Sequence, residues 1–282
     1  MKQQRTYSAQ SPLLFPQEFA KQTLLELNTV KHIGWQLFKQ SFRTRYRQSF
    51  LGYTWTIIPP IVMMIVASIM HGAKIVNYSD SQIPYPVFVL CGTLIWQLFS
   101  ESFQGMVNLI YSKKSLLSRI PFPREALIVT QLIDGHVSLC ILAIPLFILS
   151  YVFGANLGYN FVLSILLLSS TIVFGTILGT LIAPLAFLVE DIKRVLTIFL
   201  SFLFLVTPVI YKEPKQSVLR EIVNLNPLTQ LIGINRDLIL GTNSTHILVP
   251  IMILLCCLAM LLFTWFIFRL AAPIALERAG NL

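Results

Sequence analysis

From Gly135 to Val189 the chain runs for 55 residues without one Asp, Glu, Lys or Arg. A water-soluble domain carries roughly a quarter charged residues and has no place for such a stretch. It is also too long for one bilayer-crossing helix, which needs about 20 apolar residues. The turn-forming sequence Gly154-Ala155-Asn156-Leu157-Gly158-Tyr159-Asn160 divides it into two spans. The rest of the chain has the same character: 12% of its 282 residues are charged and 55% are hydrophobic, with a mean hydropathy of +0.73. These values exclude a disordered chain, a fibrous repeat and an ordinary soluble enzyme. They predict an all-α membrane protein that crosses the bilayer several times.

Charge-free intervals give six transmembrane helices: Trp55–Met70, Pro84–Tyr111 interrupted by Glu101, Ala126–Phe153 interrupted by Asp134, Phe161–Leu188, Val195–Tyr211 and Ile247–Phe268. Residues 1–30 read as a polar cytoplasmic arm without the apolar core of a signal peptide. In residues 31–50, Trp35, Phe38, Phe42 and Tyr46 recur at spacings of three or four among basic residues. That pattern predicts an amphipathic helix lying in the membrane interface. Residues 51–282 form the six-helix transmembrane domain. Its segment 212–246 is too apolar for a free loop and too short and charged for another span, so a re-entrant helical hairpin is expected before the last span. Counting Lys and Arg, the arm, the segment between spans two and three, the turn between four and five, and the tail together hold 16; the opposite side holds 5. This asymmetry predicts that both termini are cytoplasmic. The net charge of +9 lies between apolar runs, which points to membrane lipid headgroups and not to nucleic acid.

The chain contains no GxxxxGK[ST], HExxH or GxSxG sequence, so no sign of an intrinsic enzyme is visible. His32, His71, His136 and His246 are scattered, and Cys91, Cys140, Cys256 and Cys257 lack metal-ligand spacing, so no metal site and no bound cofactor are expected. Glu101 and Asp134 are intramembrane carboxylates, which carry two readings: a functional polar site, or pairing with a base near the boundary. Gly175, Gly179 and Ala183 make a small-residue face, for packing within one subunit or between subunits. The aromatics Tyr53, Trp55, Phe88, Trp96, Phe99, Phe103 and Tyr211 read either as interfacial belt and core or as stacking surfaces along a sugar channel. Arg43, Arg45 and Arg47 read as positive-inside anchors or as a site for a lipid pyrophosphate, which guanidinium donors suit.

Several motifs resemble one family in order along the chain. Arg45-Tyr46-Arg47-Gln48-Ser49-Phe50-Leu51-Gly52-Tyr53-Thr54-Trp55, followed by Pro59-Pro60, resembles the entry to span one in membrane subunits of bacterial ATP-binding-cassette exporters of O-antigen, capsule and teichoic acid. Ser118-Arg119-Ile120-Pro121-Phe122-Pro123-Arg124-Glu125 is similar to their segment between spans two and three. Asp191-Ile192 resembles their Arg-Asp-Ile, with Glu190 in place of the Arg. Asn226-Pro227-Leu228-Thr229 with Arg236-Asp237 resembles the external region before span six. The resemblance implies a homodimer in the bacterial inner membrane with two copies of a separate ATPase subunit holding ATP-Mg. It implies a lipid-linked, O-antigen-like polysaccharide as substrate. It also implies an ATPase-coupling role for segment 112–125, with Lys113, Lys114, Arg119, Phe122, Pro123, Arg124 and Glu125. Three other classes compete: a six-span exporter of drugs or lipids, an ion-coupled secondary transporter, and a membrane-embedded transferase. No internal repeat supports the second, and no clustered acid, base or metal set supports the third.

Overall fold

The computed structural model describes residues 16–47, 50–52, 54–76, 78, 83–113, 116, 123–154, 161–212, 221, 223, 225–241 and 248–280. Among them the regular secondary structure is helical: α1 Pro16–Arg47, α2 Thr54–Gly72, α3 Tyr85–Ser112, α4 Ala126–Val152, α5 Phe161–Leu188, α6 Asp191–Val206, α7 Pro227–Leu240 and α8 Leu248–Gly280. Five helices, α2, α3, α4, α5 and α8, are long and apolar enough to cross a bilayer. The expected span Val195–Tyr211 is instead the 16-residue α6, ending at Val206. The cause is Pro208, which forces the residue before it out of helical geometry. Thr207 is accordingly extended, with ψ 132°, and α6 is shorter than a full span requires.

Two helices form the buried axis. α3 and α5 are the most enclosed of the long helices, while α2, α4 and α8 keep mostly exposed apolar faces. Gly175 and Gly179 make the axis possible: a Cβ at either would sit 2.6 Å from the backbone oxygen of Phe99 or Phe103 on α3. The small-residue face therefore packs within this chain, and its glycines let the two backbones approach.

α1 departs from the expected boundaries. It starts at Pro16, a residue suited to the first helical turn, so half of the expected polar arm belongs to the same helix. Val30, Gly34 and Leu37 are buried and share one face, and Val30 and Leu37 join the cluster containing Ala126, Leu127 and Ile128 of α4. Thr130 Oγ1 donates across this contact to the Gly34 carbonyl at 3.1 Å. Trp35 stacks on Phe38 and Phe38 lies tilted against Phe42, in series as the spacing predicts, but Phe38 is buried while Trp35 stays exposed.

Among the described residues of segment 212–246 the longest element is the capped helix α7, and Glu221, Val223 and Leu225 before it are also helical. Pro227 occupies its first position, the Asn226 side chain accepts from the Leu228 amide at 3.0 Å, and Gly241 closes it with φ 66°, the left-handed cap that favours glycine. Residues 213–220, 222 and 224, in the part of the expected hairpin before α7, lie outside the described residues.

Candidate functional site

The strongest candidate site begins with two prolines. Pro59 and Pro60 lie inside α2. Neither can donate the backbone hydrogen bond to the residue four positions earlier, so the carbonyls of Trp55 and Thr56 lose their helical donors. The Gln97 amide of α3 donates to the Thr56 oxygen at 2.9 Å, and to Glu101 Oε1 at 2.6 Å. One side chain thus repairs the helix break and holds the carboxylate.

Around this junction lies an open groove of about 460 Å³. It is lined by Arg45, Gly52, Trp55, Thr56, Pro59, Gln97, Ser100, Glu101, Gln104, Gly105, Asn108 and Asp134. Four helices build it. α3 supplies Gln97, Glu101, Gln104 and Asn108, spaced four, three and four apart, which is one helix face. From Asn108 to Gln97 the stripe extends roughly 16 Å along the axis. Gln104 donates to Ser100 Oγ at 3.0 Å, and Gln131 of α4 approaches the Glu101 carbonyl at 3.5 Å. The groove has the size of a small-ligand cleft, and eight of its twelve lining residues carry polar or charged side chains set among apolar surface.

The three arginines separate. On a helix Arg43 and Arg47 share a face and Arg45 points about 160° away. Arg45 reaches into the groove and grips both oxygens of Asp134, at 3.3 and 3.0 Å. Its side chain is half-exposed and that of Asp134 is mostly covered. Arg43 and Arg47 are exposed. The two intramembrane carboxylates therefore meet in one groove: Asp134 is paired with a base, and Glu101 is held by an amide.

The aromatics do not form one surface. Phe88, Phe99 and Phe103 are buried at 3%, 1% and 2% exposure, so these rings fill the interior and do not line a surface. Trp96 is half-buried against Phe99 and Phe204. Tyr211 is half-buried, and its hydroxyl donates to the carbonyls of Leu205 and Val206. Of the six described aromatics Trp55 alone lines the groove, and it is exposed. Tyr53 lies outside the described residues.

In the expected coupling segment, Lys114, Arg119 and Phe122 lie outside the described residues. Lys113 donates to Gln40 of α1 at 3.2 Å, and partial burial pushes its amine below the usual lysine range. Pro123 and Arg124 are half-buried. Glu125 is buried and accepts from Arg269 Nε of α8 at 3.1 Å, while Arg269 Nη2 reaches Glu26 of α1 at 3.2 Å. Glu125 is therefore a clasp between helices and not a projecting group. Arg269 also escaped the sequence reading, because its partners are 144 and 243 positions away.

A second buried charge sits at the other end of α3. Arg236 of α7 donates to the Val209 carbonyl at 2.8 Å, and its guanidinium lies 3.7 Å from the centroid of the Phe88 ring. Gly92 leaves the space for it: a Cβ there would collide with the Arg236 guanidinium and the Val209 carbonyl. Tyr85 donates to the adjacent Ile210 carbonyl at 3.0 Å.

Comparison with known proteins agrees with this architecture. The family model described as ABC-2 type transporter matches residues 34–240. The O-antigen export system permease protein RfbA of Myxococcus xanthus is 27% identical over 203 residues, covering 70% of this chain and 75% of that protein. The permease of the same name from Klebsiella pneumoniae is 24% identical, over 72% and 78%. The polysialic acid transport protein KpsM of Escherichia coli is 23% identical, over 72% and 80%.

Proposed function

We infer, since the chain belongs to the ABC-2 type transporter family, that it is the membrane-spanning subunit of an ATP-driven exporter. It moves a lipid-linked cell-surface polysaccharide outward across the bacterial inner membrane. The observation that carries this reading is similarity to O-antigen export permeases over about three quarters of their length. The groove gives it a physical basis. A polar cleft that begins at one end of α3 and reaches the middle of the span is costly against lipid, and it suits a hydroxyl-rich cargo better than an apolar drug.

The energy source is an ATP-binding partner subunit, in two copies, which holds ATP-Mg; two copies of this chain enclose the path. The basic side, with both termini, faces the cytoplasm. There segment 112–125 receives the ATPase, with Lys113, Pro123 and Arg124 at its edges, and the clasp of Glu125, Glu26 and Arg269 passes the motion to α1 and α8. Six crossings require α6 to serve as the short sixth one, with the bilayer thinned locally or the helix end covered. The exposed pair Arg43 and Arg47 takes the lipid pyrophosphate at the membrane surface. Arg45, occupied by Asp134, orders the groove beside it.

Deletion of the gene in its host tests this function. The expected result is loss of one surface polysaccharide with accumulation of the same polymer, still lipid-linked, inside the cell. An unchanged cell surface would contradict it. Charge reversal at Arg124 is expected to leave ATP hydrolysis by the assembled complex while abolishing export. Coupled, wild-type export in that variant would remove the docking assignment.

A further inference from the structure

The charge and chemistry of the groove constrain its cargo. Among the described residues its lining holds one cation, Arg45, against two carboxylates, Asp134 and Glu101. Arg45 is already bidentate to Asp134, so the cleft carries no net positive charge whatever the protonation of Glu101. A row of anions placed there would meet carboxylates without a compensating base, which is a strong selection against them.

The remaining groups suit neutral hydroxyls. Gln97, Gln104 and Asn108 offer amides, and Ser100 and Thr56 offer hydroxyls, each able to donate and accept. Pro59 has removed the helical donor to the Trp55 carbonyl, which supplies a further acceptor at the rim. The exposed Trp55 ring provides a flat apolar surface beside these groups, a wall on which the C–H face of a pyranose can rest. Stripe and ring lie on facing helices, α3 and α2, so one sugar can touch both.

We propose that this groove is a sugar-binding cleft that holds the lipid-proximal part of the polymer, and that the glycan held there is uncharged and not polyanionic. The proposal rests on the polysaccharide-export reading. It separates this chain by cargo chemistry from exporters of acidic polymers. Asn108, the exposed outer end of the stripe, is the primary contact residue; Gln104 and Gln97 follow inward.

The test is photocrosslinking in the native host, within the intact transporter. A benzoyl-phenylalanine replaces Asn108, and in a control the exposed Phe202 of α6. After irradiation the chain is purified and its attached glycan is analysed for monosaccharide composition. The expected result is a glycan adduct at position 108 and none at 202, with neutral sugars as the attached residues. A second variant, Gln104→Leu with Asn108→Leu, is expected to lower export roughly tenfold, as loss of about two hydrogen bonds predicts, at unchanged membrane abundance and ATPase association. An adduct rich in uronic or sialic acid overturns the proposal. So does absence of an adduct, or wild-type export by the double variant, in cells whose polymer reaches the surface. Those outcomes leave the export function standing. Failure of export to depend on the gene would instead sink the underlying reading.

Discussion

The two ends of the α3 axis are fastened by different physics. At the end where α1 lies, opposite charges meet: Arg45 with Asp134, and Arg269 with Glu26 and Glu125. At the end where α7 lies, a buried cation is seated on a ring and on backbone carbonyls. Arg236 rests on Phe88 and the Val209 carbonyl, beside the mutually packed rings of His71, Tyr78, Tyr85 and Phe88. A half-exposed ion pair is weak, salt-screened and able to exchange partners. A desolvated cation on a ring and a carbonyl has few alternatives and holds one geometry. The contrast assigns rearrangement to the half-exposed Arg45–Asp134 pair beside the groove, and rigidity to the α7 end and to the buried Arg269–Glu125 contact.

Breaking each fastening in turn sharpens that contrast. The largest loss of stability is expected from Arg269→Ala, which strands the buried Glu125 carboxylate. A loss of about 3 kcal/mol should appear as a lowered unfolding midpoint of the detergent-purified chain. Arg236→Ala comes next, costing about 2 kcal/mol from the charge-assisted bonds to the Pro208 and Val209 carbonyls and the Phe88 ring contact. Its effect on the midpoint should depend less on added salt than that of Arg45→Ala, because the Arg236 side chain is buried. Arg45→Ala should cost at most about 1 kcal/mol, since the pair is half-open, and the wild-type advantage should shrink further at high salt. The smallest stability change is expected at Arg43 and Arg47. Alanine there should shift the midpoint within about 0.5 kcal/mol and yet reduce export several-fold. Equal effects of Arg43→Ala and Arg45→Ala on both stability and export would erase the distinction drawn between them.

Much of the architecture was legible because it depends on hydropathy and local turn chemistry. Expected spans Pro84–Tyr111 and Phe161–Leu188 correspond to Tyr85–Ser112 and Phe161–Leu188, since the bilayer length rule is a property of local sequence. The start of α7 was marked by Asn226-Pro227. Two further features were written in the sequence but easily overlooked. The helical phase of Arg43, Arg45 and Arg47 already divides them, and Gln97, Glu101, Gln104 and Asn108 already follow helical spacing. Treating the arginines as one cluster, and the span as an apolar run with one flaw, hid both.

Other features depend on tertiary contact and have no local signal. Nothing near Arg45 announces Asp134, 89 positions away. Whether Phe99 lines a channel or fills a core is decided by the approach of α5 through Gly175, which presses α5 against the Phe99 backbone and buries the ring. The sequence shows the glycine and the phenylalanine, but only the packed axis shows that they meet.

The central claim is that this chain is the permease half of a polysaccharide exporter driven by another subunit. Purification of the full chain from native membranes in mild detergent, with quantitative mass spectrometry of its stoichiometric partners, tests it most directly. The expected result is an ATPase bearing a phosphate-binding GxxxxGK[ST] sequence, equimolar with this chain, and lipid-linked glycan in the same fraction. A homogeneous preparation with neither would contradict it.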